Sequence, residues 1–276
     1  MSRWSSHIAR ITLCAVVAVA IAACAGTRGG RAHRSVSAER LGALIDSLVV
    51  GEPSTWTCAF DSLSFLDDAR TPTLLLQKVR YGDLATRHRA SVALATLPLN
   101  RGLDTLAGAL ADHDPFVRWT AARAIGERGY RRAVPALHGA LDDTSVAVRR
   151  AAALSIGAIA DTASFRALVD HRHDPAEEVR AAIALSLGAF GPNGLLILRE
   201  IIEDDGGLVV MAAVEALGMI GHRDAVPVIG VTLLDGPLAT RIAATRALGR
   251  IGGANADTLL VAAATDDPHA LVRESA

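Results

Sequence analysis

The chain has 276 residues and is 51% hydrophobic but only 4% aromatic, with 28 Lys and Arg against 29 Asp and Glu. A formal charge of −1 leaves no basic footprint for nucleic acid. Three cysteines are too few for a disulfide-stapled fold.

Arg3 and Arg10 form a short positive segment ahead of and at the edge of Ile11–Ala23 (ITLCAVVAVAIAA), an apolar run of 13 residues. A spanning helix needs about 20 residues, whereas a secretory h-region takes about 7–15. The run ends in Ile21-Ala22-Ala23-Cys24, which resembles a bacterial lipobox. The resemblance implies cleavage of residues 1–23 and lipidation of Cys24. With Ala25 rather than aspartate following, it also implies an outer-membrane anchor facing the periplasm. An ordinary signal peptide that contains a cysteine is the alternative. Cleavage leaves 253 residues with 26 Lys and Arg against 29 Asp and Glu, a net charge of 26 − 29 = −3. Cys58 then has no internal disulfide partner and is expected to be a small buried hydrophobe. Residues 24–36, with Thr27–Arg34 (TRGGRAHR) at their centre, read as a flexible tether.

Residues 37–71 are expected to form an N-terminal helical cap. Ser37 can cap a helix in which Leu41, Leu44, Ile45, Leu48 and Val49 make one apolar stripe. Residues 51–60 (GEPSTWTCAF) read as a loop, and Asp61–Asp68 and Pro72–Tyr81 as helices. Trp56 and Phe60 are expected to pack.

From residue 72 to 276 the chain repeats. Arg87, Arg118, Arg149, Arg180, Val210, Arg241 and Arg273 stand at intervals of 31, 31, 31, 30, 31 and 32. Six residues before these positions lie Asp112, Asp143, Asp174, Asp204, Asp235 and Asp267. Eight after them lie Gly126, Gly157, Gly188, Gly218 and Gly249. Eleven after lie Gly129, Gly191, Gly221 and Gly252, with Ala160 in the remaining unit. In each unit an arginine-bearing helix is predicted, closed by the glycine column. A partner helix follows: Val134–Leu141, Ser164–Val169, Gly194–Ile202, Val226–Leu234 and Thr258–Ala264. Pro135 and Pro227 sit at partner-helix openings, where proline fits.

This texture of aspartate, arginine, alanine and glycine resembles the HEAT-repeat family, in the short Ala/Gly-rich type named after phycobilisome lyases. The implied fold is all-α, a right-handed α-solenoid of stacked helical hairpins of about 31 residues. A hairpin that small cannot hide its own apolar face, but stacked neighbours can. The Asp and Arg columns are expected to form a structural ladder, each arginine fork holding a carboxylate and turn carbonyls. At Val210 the ladder should be interrupted. The chain stops three residues past Arg273 with no polar cap in view, which reads as truncation or a frayed last helix.

The partner helices are expected to face the concave side, and Arg131, His138, Arg166, Arg199, Val228, Val231 and Leu260 are the candidate contacts for a protein partner. The densest cluster of possible ligands is Asp170-His171-Arg172-His173-Asp174, with His138 near it, and it reads as a solvated turn rather than a metal site. No His-Glu dipeptide, nucleophile elbow or phosphate-cradling loop occurs, so no catalytic residue, metal or cofactor is expected. The leading expectation is an envelope scaffold, lipid-anchored and non-enzymatic, that binds proteins and not nucleic acid. A lyase-like factor and a passive structural spacer are the alternatives.

Overall fold

A computed structural model describes residues 36–51 and 53–276. The leader, Cys24 and the tether up to residue 35 lie outside the described residues. The described residues build an all-helical α-solenoid without strands. They fall into two compact units, one ending at Ala124 and the other starting at Ile125.

The first unit opens with α1 (Ala38–Val49), whose N-cap Ser37 accepts a hydrogen bond from the Arg40 N–H and whose buried stripe is Leu41, Ile45, Leu48 and Val49. A second helix, α2 (Pro53–Leu66), occupies much of the stretch read as a loop. The breaker-rich residues GEPST suggested a turn, yet proline is compatible with a first helical turn, where its missing N–H is no loss. Beyond it, Ala59 and Leu63 are buried, and Trp56 stacks on Phe60, one turn on, at 5.1 Å. Cys58 is half-buried. Helices α3 (Thr71–Tyr81), α4 (Leu84–Thr96) and α5 (Asp104–Ala109) complete the unit together with most of α6 (Pro115–Glu127). Asp83 caps α4 by accepting from the Thr86 N–H at 2.8 Å.

The second unit carries five hairpins: α7 (Val134–Ala140) with α8 (Val146–Ile159), α9 (Phe165–Asp170) with α10 (Glu177–Leu187), α11 (Leu195–Asp204) with α12 (Gly207–Ile220), α13 (Val226–Asp235) with α14 (Leu238–Ile251), and α15 (Ala254–Asp266) with α16 (Ala270–Ser275). Short 3-10 turns at Arg131–Ala133, Thr162–Ser164, Gly188–Gly194 and Arg223–Ala225 lead into the first four partner helices. Ala152, Ile183, Ala213 and Ala244, three residues past the arginine column, are fully buried. Alanine there lets neighbouring helix axes come close.

The two glycine columns do different work, and the left-handed capping role belongs to the second. Gly157 and Gly218 lie inside α8 and α12, and Gly126 lies inside α6. A Cβ on Gly157 would stand 2.8 Å from the Cα of Ser186, and one on Gly218 would stand 2.8 Å from the Cα of Ala247. Gly126 meets Ser155 and Gly188 meets Ala216 in the same way. Glycine is needed at these positions because a neighbouring backbone occupies the space of its side chain. The left-handed cap falls three residues later, at Gly221 (φ 67°), and at Ala160, which adopts φ 49° and ψ 44° despite its side chain. Spacing alone cannot separate a glycine that ends a helix from one that admits a neighbour.

Candidate functional site

The ladder residues meet in a recurring geometry. Arg149 donates from Nε and Nη2 to both oxygens of Asp174 (2.7 and 2.9 Å), and from Nη1 to the backbone carbonyl of Asp143 (2.9 Å). One fork thus ties the start of its own helix to the loop of the next repeat. The Asp174 carboxylate also accepts from the Ala176 N–H at 2.8 Å, which organises the entry to α10. Burial opposes ionisation of Asp174, but the Arg149 fork and that N–H outweigh it and hold the carboxyl below the ordinary aspartate value. Arg241 repeats the pattern on Asp267 (3.0 and 3.2 Å) and on the Gly236 carbonyl (3.1 Å). Arg118 and Arg273 donate to the backbone carbonyls of Asp112 (2.8 Å) and Asp267 (2.7 Å), each six residues earlier.

Three rungs depart from simple column pairing. Arg87 pairs with Asp114 at 2.6 Å, while the buried Asp112 carboxylate takes Arg80. Arg180 grips Asp205, not Asp204, with contacts of 2.9 and 3.0 Å, and donates to the Asp174 carbonyl at 3.0 Å. The unit that follows Arg180 is one residue short, and the next carboxylate along the loop reaches the fork. In that unit Val210 is buried where the others have arginine. Asp235, which lies 25 residues past Val210 as Asp174 lies past Arg149, is exposed. There Glu177 Oε1 accepts from the Leu208 N–H at 3.0 Å, so a side chain of the preceding repeat caps α12. Asp204 is exposed, and the Asp143 carboxylate accepts from the Ser145 N–H at 2.8 Å.

Six of the seven candidate partner contacts lie on partner helices, and Arg131 lies on the 3-10 turn ahead of α7. His138 is tied to the buried Ser164 at 2.9 Å, an inter-repeat contact rather than a free surface group. Arg166 pairs with Asp170 one turn on at 2.8 Å. Arg131 and Arg199 are exposed, and so is Val231, whereas Val228 and Leu260 are half-buried. Leu234 and Val261, which lie in the apolar stretches Val226–Leu234 and Leu259–Ala264 that the sequence offers as a docking groove, are exposed as well. Val231 and Val261 each stand two residues before a buried residue, Leu233 and Ala263, and thus hold equivalent places on neighbouring partner helices. Leu234 lies one turn beyond Val231 on the outward face of α13.

Within the second unit the arginine-bearing helices are the tighter layer, touching backbone to backbone at Gly157, Gly188 and Gly218.

The His171 cluster is built as a turn. His171 donates from Nδ1 to the Ala167 carbonyl (2.7 Å), and its Nε2 meets Asp142 at 3.1 Å. Burial disfavours the imidazolium, but these two acceptors outweigh it and raise the His171 pKa. Among the described residues no three His, Cys, Asp or Glu side chains converge as metal ligands would.

The model for HEAT repeats matches residues 71–153, 103–188, 139–218 and 195–276. The chain belongs to the HEAT-repeat family. Its fold is similar to the complex of CpcE and CpcF of phycocyanin lyase from Nostoc sp. PCC7120, at 25% identity, a TM-score of 0.51, and coverage of 71% of this chain and 81% of that one. It is also similar to YibA of E. coli, at 18% identity and a TM-score of 0.54, over 88% of this HEAT-repeat chain and 96% of the other. Against Kap121p the TM-score is 0.61 at 13% identity, and this chain spans 33% of that protein's length. No curated protein matches in sequence.

Proposed function

We propose that this HEAT-repeat protein is a non-catalytic scaffold of the cell envelope, lipid-anchored through Cys24 on the outer membrane facing the periplasm, that binds protein partners along its repeats. HEAT solenoids are an interaction architecture, and the observation that carries the reading is the exposure of the apolar side chains of Val231 and Leu234 on α13 and of Val261 on α15. Large apolar side chains left in water on an outward face are a usual mark of a protein contact.

Cross-linking in native membranes, comparing the wild type with Val231→Asp/Val261→Asp, tests these side chains. Loss of a specific partner is expected, and survival of every cross-link would favour the spacer reading instead. Palmitate incorporation that disappears in Cys24→Ala tests the anchor. A lyase-like role has the likeness to the phycocyanin lyase complex as its support. It predicts that added bilin binds the purified chain with a shifted visible absorption band, and an unshifted band would remove it.

A further inference from the structure

Four exposed apolar side chains gather at one end of the first unit. Val50 (61% exposed) follows α1, Trp56 (38%) lies in the first turn of α2, Tyr81 (76%) closes α3 and Leu84 (84%) opens α4. Two contacts bring these turns together. Lys78, in the last turn of α3, meets Asp46 near the end of α1 at 2.6 Å. Arg89, in the second turn of α4, donates to the carbonyls of Val49 and Gly51 at 3.4 and 3.3 Å. The first turn of α2 sits on the same bend, since a Cβ on Gly51 would be 2.6 Å from the Thr55 hydroxyl.

Charged groups share the tip, with Asp83 between Tyr81 and Leu84 and the Arg80 guanidinium 5.8 Å from the Tyr81 ring centre, and the opposite end is where the chain enters the unit. There Phe65 stands among Asp67, Asp68 and Arg70, Asp68 is paired with Arg70 at 2.7 Å, and Arg70 donates to the Val36 carbonyl, where the chain enters the unit. Tryptophan and tyrosine combine an apolar ring with a polar edge, which suits the boundary between headgroups and acyl chains, and leucine and valine reach slightly deeper.

The chain ahead of α1 bears on what covers the tip. Helix α1 has 12 residues, about 18 Å, which separates the entry end from the apolar end. Ala25–Val36 is also 12 residues. A segment of that length spans roughly 19 Å as a coil and about 40 Å at full extension. A link whose mean span matches the distance gives the highest local concentration of one site at the other.

We propose that the tip formed by Val50, Trp56, Tyr81 and Leu84 seats in the interfacial layer of the membrane that holds Cys24, fixing the orientation of the first unit on the lipid surface. This rests on the lipid-anchor reading. The test uses the full chain, purified from membranes and reconstituted into vesicles of phosphatidylethanolamine and phosphatidylglycerol that contain phospholipid brominated near the headgroup. Trp4→Phe/Trp119→Phe leaves Trp56 as the reporter. Emission from Trp56 should move to shorter wavelength and be quenched roughly twofold, as expected for an interfacial indole. Tyr81→Ser/Leu84→Ser in the same background should abolish most of that quenching with an unchanged circular dichroism spectrum. The mass of the N-terminal peptide from the same preparation reports the lipid on Cys24. Lipidated protein with unquenched Trp56 overturns the tip and leaves the anchor standing. Quenched Trp56 on an unlipidated chain keeps the tip and removes the anchor. A shorter-wavelength emission without quenching assigns the tip to a protein contact and overturns the proposal.

Discussion

The Arg149 and Val210 units stack on the same scaffold with different fastenings. At Arg149 a planar fork holds Asp174 and the Asp143 carbonyl, and the aspartate organises the next helix start. At Val210 there is no cation, and the start of α12 is capped instead by Glu177 from the repeat before. Both units keep the close backbone contact, Gly157 on Ser186 and Gly218 on Ala247. The close approach of helices is therefore the common requirement, and the ladder is an added tie that one repeat dispenses with.

The largest effect should come from filling the shared contact. Gly157→Leu and Gly218→Leu each force a side chain into a neighbouring helix and should destabilise by about 3 kcal/mol, read as a lower urea midpoint. Equal losses in the two units would support a common scaffold, while a clearly smaller loss at Gly218 would mean that the Val210 unit is loosely stacked.

Removing the fork comes next. Arg149→Met leaves the mostly buried Asp174 carboxylate without its cation and should cost about 2–3 kcal/mol. Val210→Ala trims a buried apolar side chain and should cost about 1–2 kcal/mol, with the slope against urea unchanged. If the order is reversed, the ladder is ornamental.

The substitute cap should be worth about 1 kcal/mol, lost in Glu177→Ala, while the neighbouring exposed Glu178→Ala stays within about 0.5 kcal/mol of wild type. Hydrogen exchange of the Leu208 amide reads the same contact directly.

Acid should distinguish the two units further. The folded Asp174 carboxyl titrates below its unfolded value of about 3.9, so its contribution is complete at neutral pH and fades as pH falls through the folded value. The urea midpoint should drop as pH falls below about 5, and drop less in Asp174→Asn. His171 has the opposite sign. Its folded pKa is raised, so its contribution is complete below about 6.5 and fades as pH rises through the folded value. His171→Gln should flatten that shallow alkaline decline.

The smallest expected change is a gain. A Cβ on Gly249 meets no atom within 4 Å, unlike one on Gly157. Gly249→Ala should stabilise α14 by about 0.5–1 kcal/mol through helix propensity alone.

The periodicity of arginine, aspartate, alanine and glycine was enough to establish helical hairpins, their order and their stacking, because a hairpin of about 31 residues with alanine on its buried face has no other way to leave water. The ladder was legible as columns for the same reason. Tertiary structure alone decided which carboxylate each fork reaches, since Asp114 and Asp205 lie only one or two residues from the expected partners and a loop one residue shorter changes the register. It also decided which glycine closes a helix and which admits a neighbour, and that residues 53–66 continue as helix. It placed Trp56, Tyr81 and Leu84, distant in sequence from one another, at one end of a unit. Each of these depends on contacts between segments whose spacing along the chain carries no trace of their distance in space.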